Sequence, residues 1–227
     1  MAQKKQQAFR LINNEDFFLV EGFNSLRTNL EYSLIDGAHK AIVITSAVPQ
    51  EGKTYITANL GFSLMKIGYK VLLMDCDFRK PQLHRFFNMP SHVGITNVLF
   101  KKIEFENAVN QINSHLHVLC SGPLPPNSVE VLNSRLMKDF IKKVSEQYNY
   151  VLIDTPPSAY LSDASVLAPN TNGVLFVIKY GDTQIDTIKQ ALLNLKKVNA
   201  NIIGAITSQV KIKRSKKSRN HSLLYAP

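Results

Sequence analysis

Six short runs of nearly uninterrupted apolar residues recur along the chain, at 41–45, 71–75, 117–120, 151–154, 174–178 and 202–206, each rich in Val, Ile and Leu. A strand with one wet face alternates apolar and polar residues, whereas a strand covered on both faces does not. The runs therefore predict buried strands of a parallel sheet. Between them lie helical patterns at 54–67, 135–147, 162–168 and 187–198, and an amphipathic segment at 16–32 precedes the first strand. Strand–helix alternation at this spacing predicts an α/β fold: a doubly wound, mostly parallel sheet with helices on both faces and its ligand at the C-terminal strand ends. No repeat and no Gly/Ser linker breaks the pattern, so residues 1–210 read as one domain, with a helical segment at about 16–33, followed by a tail at 211–227.

The first apolar run leads into IVITSAVPQEGKT, residues 42–54. A β-branched strand, a tight loop and Gly-Lys-Thr opening a helix form a phosphate loop of the P-loop NTPase kind. Backbone N–H groups and the helix N-terminus face the phosphates, the Lys53 ammonium reaches the β/γ oxygens, and the Thr54 hydroxyl ligates Mg²⁺. Pro49, Gln50, Glu51, Gly52, Lys53, Thr54 and Tyr55 are the candidate nucleotide-binding residues. Two positions often given to glycine are Ala47 and Gln50 here. A side chain at a loop position of positive φ costs about 1 kcal/mol.

Two further strand ends carry carboxylates. The second run, VLLMDCDFRKP, ends in Asp75 and Asp77, two residues apart, a spacing that puts both on one side of a strand. The fourth, YVLIDTPP, ends in Asp154 before a Thr-Pro-Pro turn. Phosphoryl transfer rests on positioning and charge neutralisation, so it needs Mg²⁺, carboxylates to hold the metal or its waters, and an acceptor for the proton of the attacking hydroxyl. One Asp after a strand is usually a turn residue or helix cap. Three of them beside a phosphate loop point to the ligand.

Charge changes the picture mainly at the end of the chain. Of a net charge of +10, Lys211, Lys213, Arg214, Lys216, Lys217 and Arg219 supply six, leaving 10 − 6 = +4 for the rest. A solvated tail and attraction to anionic lipid are both open readings. Nucleic acid is disfavoured, because no aromatic residues interleave with the charge. Cys76 and Cys120 lie in apolar runs without a partner motif, which reads as reduced, structural cysteine. No apolar run approaches the length of a membrane span and the polar start MAQKKQQ leads into no signal-peptide core, so the expectation is a cytoplasmic protein.

Together, IVITSAVPQEGKT, VLLMDCDFR and VLIDTPP resemble the three Walker motifs of the bacterial tyrosine kinases of capsule and exopolysaccharide assembly. The Asp75-x-Asp77-x-Arg79 order is the most specific of these matches. Leu26-Arg27-Thr28-Asn29, Arg79-Lys80-Pro81 and the stretch SGPLPPNSVEVLNS at 121–134 add to it, and the likeness runs over about residues 16–210. The resemblance implies that ATP, giving ADP, binds with Mg²⁺ through Lys53 and Thr54. It further implies that Asp75 and Asp77 serve metal coordination and activation of the tyrosine hydroxyl, with either as the base, and that Asp154 holds the metal's water shell. Arg79 is either a phosphate contact or a salt-bridge partner. Lys53, Asp75 and Asp77 are the candidate catalytic residues, and Thr54, Asp77 and Asp154 the candidate metal residues.

The implied activity is an autokinase regulating polysaccharide synthesis. The implied partners are a transmembrane adaptor that recruits the chain to the inner face of the plasma membrane, a cognate tyrosine phosphatase and polysaccharide-synthesis enzymes. Three departures qualify this. The family's first-helix series Glu-x-x-Arg-x-x-Arg, which mediates ring-like self-association, reads Glu21, Asn24, Arg27 here, which weakens the case for a homo-oligomer. The usual tyrosine cluster is reduced to Tyr225, the one tail acceptor. Thr207-Ser208-Gln209 stands where relatives place a base-reading asparagine. Two other readings compete: a partition-type or assembly ATPase, disfavoured because the loop has no early second lysine, and a nucleotide-binding regulatory module without transfer.

Overall fold

The computed structural model describes residues 17–34 and 40–210. Asp16, the basic run at 211–219 and Tyr225 lie outside the described residues. Among the described residues seven strands, β1 (Lys40–Ser46), β2 (Val71–Asp75), β3 (Asn110–Gln111), β4 (Leu116–Leu119), β5 (Tyr150–Asp154), β6 (Gly173–Lys179) and β7 (Ile202–Ser208), form one sheet in the order β3-β4-β2-β5-β1-β6-β7. Every pairing is parallel except β3 with β4.

Alternate residues of the central strands feed two different cores, which is why they read as continuous apolar runs. Val43 of β1, Leu72 and Met74 of β2, and Val151 and Ile153 of β5 enter one. Their neighbours Ile42, Ile44, Leu73 and Leu152 enter the other. Helices α1 (Phe17–Ser33) and α2 (Lys53–Lys66) cover the second core through Phe23, Leu30, Leu60 and Leu64. The chain then makes four short helices, α3 (Leu83–Phe86), α4 (Ile95–Leu99), α5 (Phe105–Ala108) and α6 (Ser128–Asn133). The first core is closed by α7 (Arg135–Ser145), α8 (Asp163–Leu167) and α9 (Ile185–Lys197), through Phe140, Val144, Leu167 and Leu195.

The doubly wound architecture matches the sequence reading, and each apolar run is a strand to within two residues. The short helices α3–α6 and the two-residue β3 are additions that periodicity did not reveal. Each of those helices makes fewer than two turns and shows no repeat of its apolar face. Cys76 and Cys120 are buried free thiols just past the ends of β2 and β4 rather than within them.

Asn24 does not leave a gap in the first helix. It donates to Glu21 Oε1 at 3.1 Å and accepts from Arg27 Nη1 at 3.3 Å. Arg27 also donates to the Ser63 carbonyl and hydroxyl of α2, both at 3.2 Å. The polar series of α1 is thus spent in part on docking α1 to α2. Among the described residues no helix is long and apolar enough to cross a membrane.

Candidate functional site

The site gathers at the C-terminal ends of β1, β2 and β5, where parallel strands stop together and their connections diverge. The loop at 47–52 takes the chain from β1 into α2. Gly52 sits at φ 92° ahead of the helix and supplies no side-chain cap, so the positive end of α2 opens toward the loop. Gln50 adopts φ 66° despite its side chain, as the sequence anticipated for a position that usually favours glycine.

The loop is held from behind by its own acid. Glu51 is fully buried, and its carboxylate accepts from the Val48 N–H at 2.8 Å, the Lys179 N–H at 3.0 Å and the Thr183 hydroxyl at 2.5 Å. Its side chain therefore anchors the loop to the end of β6, and only its backbone is left for an anion. The Tyr55 ring is edge-on to Phe23 and Phe86, between α1 and α3. Pro49 and Gln50 are exposed at the tip, while Lys53 is buried.

Opposite the loop, the turn after β5 is stapled to β1. Thr155 donates through both N–H and hydroxyl to the Ile44 carbonyl, at 3.1 and 2.9 Å. Thr45 returns a bond to the Pro156 carbonyl at 2.8 Å, and Ser158 donates to Ser46. This rigid turn fixes Asp154, whose Oδ2 accepts from the Thr54 hydroxyl at 2.5 Å. Its Oδ1 is buried and has no hydrogen-bond partner among the described residues. A buried carboxylate oxygen without a donor is costly and marks a place where a ligand completes the set. Burial raises the Asp154 carboxyl to about 7, against the opposing pull of Lys53 and of the Thr54 bond.

Asp75 and Asp77 do not share a face. The strand ends at Asp75, so the period-two argument stops there and Asp77 belongs to the following turn. Asp75 is fully buried: Oδ2 accepts from the Gln82 and Leu83 N–H groups at 3.0 and 2.9 Å, capping α3, and Oδ1 accepts from the Asp77 N–H at 3.3 Å. Burial, then the neighbouring Asp154 charge, pushes its carboxyl well above the usual range. Asp77 is only partly buried and accepts from the Lys80 N–H at 2.9 Å. Burial raises its carboxyl too, and Lys53 draws it back.

Of the two roles the sequence allows Arg79, the structure shows the salt bridge. Its Nε donates to both oxygens of the fully buried Asp163, at 3.2 and 3.3 Å, tying the turn after β2 to α8. Asp163, Ser158 and Thr183 are supports that sequence reasoning missed, and Glu51, a nucleotide-binding candidate by its place in the loop, turns out to anchor that loop through its side chain, since nothing local marks a buried carboxylate whose partners lie 84 or 128 residues away.

This geometry fits a nucleotide with a hard divalent cation. Among the described residues no three His, Cys, Asp or Glu side chains converge on one point. The protein offers the Thr54 hydroxyl and the spare oxygen of Asp154, a small oxygen set of the kind Mg²⁺ uses when phosphates and water supply the rest. Lys53 and the start of α2 would supply the positive field for such phosphates.

A family model described as an AAA domain matches residues 39–212. The tyrosine-protein kinase YwqD of Bacillus subtilis (strain 168) is 39% identical over 195 residues, covering 86% of this chain and 82% of that protein. The chain belongs to the bacterial tyrosine-protein kinases. Among solved structures, the chimerical protein CapA2B2 superposes on this kinase with TM-score 0.79 at 32% identity, over 84% of this chain and 85% of that one. The kinase domain of Escherichia coli tyrosine kinase ETK does so with TM-score 0.79 at 26% identity, covering 86% and 79%. Against full-length etk of Escherichia coli (strain K12), the kinase spans only 29% of the relative's length. The fold is that of a nucleotide-binding P-loop protein, and the chain is a protein-tyrosine kinase.

Proposed function

We propose that this kinase binds Mg·ATP at the loop 47–54 and transfers the γ-phosphoryl group to tyrosine, on its own Tyr225 and on partner proteins of capsular or exopolysaccharide synthesis. The observation that carries the reading is the Thr54–Asp154 pair, with one oxygen of Asp154 buried and unpartnered beside a phosphate loop. Lys53 and the backbone of residues 49–55 hold the phosphates. Thr54 and Asp154 hold Mg²⁺ or its waters. The cation, when bound, neutralises charge on the phosphate oxygens and on the departing ADP.

The two aspartates after β2 then divide the remaining work. Asp75 has both oxygens committed to backbone N–H groups and sits at 0% exposure, so it shapes the turn. Asp77 is the proton acceptor for the tyrosine hydroxyl. What supports this is its partial exposure, its nearness to Lys53 and a carboxyl raised above its ordinary range, which suits a base. Arg79 steadies the turn through Asp163 rather than binding phosphate by its Nε. Residues 1–210 act as the catalytic unit and 211–227 as the substrate tail, with a transmembrane adaptor bringing the kinase to the inner face of the plasma membrane and a cognate tyrosine phosphatase reversing the reaction.

The test is phosphotyrosine formation with Mg·ATP and a cytoplasmic adaptor segment, followed by site mapping. Label that appears in the wild type, disappears in Lys53→Ala and falls mostly with Tyr225→Phe supports the proposal. ATP hydrolysis without phosphotyrosine would overturn it.

A further inference from the structure

The phosphate loop contains a residue that resists its own conformation. Gln50 carries a Cβ at φ 66°, a region in which a non-glycine residue is strained and stays only where its surroundings hold it. The surroundings are visible at the end of β7. The Gln209 Nε2 donates to the Gln50 carbonyl at 3.2 Å, and the Ser208 hydroxyl donates to the Glu51 carbonyl at 2.6 Å. Ser208 is itself fixed by the sheet, since its carbonyl accepts from the Tyr180 N–H at 3.1 Å, and it is buried. A Cβ placed on Gly52 would sit 3.7 Å from Ser208 Cβ, so the two segments lie in direct apposition.

Two consecutive carbonyls of the loop are therefore pulled toward β7. In a planar trans peptide the C=O of one residue and the N–H of the next point in opposite directions. Holding the Gln50 and Glu51 carbonyls toward β7 turns the Glu51 and Gly52 N–H groups to the other side of the loop. Successive N–H groups aimed one way form the concavity that binds phosphate. The same orientation without the strap costs a reorganisation at the moment of binding, which lowers affinity.

We infer that Ser208 and Gln209 are positioning residues for phosphate binding: they hold Gln50 and Glu51 in the anion-binding arrangement that glycines would otherwise permit. This rests on nucleotide binding at the loop, the reading proposed above. It assigns Gln209 a role through the loop backbone and not through the base.

The test measures binding of Mg·ADP, Mg·GDP and inorganic pyrophosphate with Mg²⁺ to wild type, Gln209→Ala, Gln50→Gly and the double variant, with thermal denaturation alongside. Gln209→Ala should weaken ADP, GDP and pyrophosphate alike, on the order of fivefold to tenfold for one lost hydrogen bond and its strain. The ADP/GDP ratio should not change, nor should the melting temperature of the ligand-free protein, because the bond is on the surface. Adding Gln50→Gly to Gln209→Ala should recover most of the lost affinity, since glycine reaches this φ without a strap. The inference is overturned if Gln209→Ala weakens ADP but not pyrophosphate, which would make Gln209 a base contact. It is equally overturned if Gln50→Gly fails to rescue, or if Gln209→Ala binds like wild type. A wild-type protein that binds none of the three probes would instead sink the nucleotide-binding reading itself. Ser208→Ala, which removes the companion bond to Glu51, should reproduce the Gln209→Ala pattern.

Discussion

The ends of β2 and β5 place the same residue type side by side in opposite circumstances. Asp75 and Asp154 are the last residues of adjacent parallel strands and stand opposite each other in register. Both are buried, and both carboxyls are raised by loss of water. Asp75 is saturated: three backbone N–H groups of its own turn use both oxygens. Asp154 is half used, bonded to Thr54 and otherwise bare. The identity of a carboxylate and its burial do not say what it does. The number of donors the fold has already given it does. A saturated acid builds structure, whereas a bare one is kept for something that arrives later.

The largest effect should come from inverting this pair. Asp154→Asn should reduce phosphotyrosine formation by at least about a hundredfold while leaving thermal stability unchanged or raised, because it removes a buried charge whose loss of water outweighs the pull of Lys53 and the Thr54 bond. Asp75→Asn should do the reverse in stability. An amide has one acceptor oxygen and cannot serve three donors, so denaturant titration should show a loss of about 1–3 kcal/mol. Equal destabilisation by both variants would break the distinction.

A smaller effect tests the support under the saturated end. Arg79→Ala strands the fully buried Asp163, and because the Arg79 side chain is 43% exposed the cost should stay near 1–2 kcal/mol, with Arg79→Lys recovering part of it. Chemical denaturation of the three proteins decides.

Smaller still is the pH dependence of the ligand-free protein in EDTA. A carboxyl whose folded pKa lies above its unfolded value stabilises at low pH, and that contribution is lost as pH rises through the folded value. Asp154 and Asp75 are both of this kind, so the melting temperature should fall as pH rises from about 4 through the Asp154 value of about 7. Asp154→Asn should flatten that slope. His117 provides an internal contrast of opposite sign. It is buried against the Tyr148 hydroxyl at 2.7 Å, far along β4 from the loop, and burial lowers its pKa. Its contribution is present above the ordinary histidine value and fades as pH drops below about 6.5. His117→Gln should remove that acid limb and leave the Asp154 slope intact.

Much of this molecule is legible in its sequence, for reasons that differ by element. The central strands announce themselves because two-sided burial demands unbroken Val, Ile and Leu, as in Val71–Asp75. The strand–loop–helix around Gly52, Lys53 and Thr54 is legible because an apolar run, a glycine free to take positive φ and a helix start follow one another within a few positions. Asp154 is legible as a strand-end acid next to such a loop. What was not legible depends on distance. Whether Asp75 and Asp77 share a face is decided by where the strand stops, and Asp77 lies two residues beyond the end of β2. The partners of Glu51 at Lys179 and Thr183, and of Arg79 at Asp163, come from other elements and leave no local mark. The helices α3 to α6 escape because a turn or two carries too few residues to show a period.

The strand order has a consequence for how the molecule is made. β1, which launches the phosphate loop, lies between β5 and β6, and its register partners begin at Tyr150 and Gly173. Thr54 meets its aspartate a hundred residues further on. While the chain emerges from a ribosome, its first 149 residues include the loop but no neighbour for the strand that holds it. Loop closure over such separations is slow, and contacts of this range form late. Nucleotide therefore has no site to meet on a half-made chain. On the proposed reading its capture would mark the completed sheet, and protection from proteolysis by Mg·ADP should report on finished molecules alone.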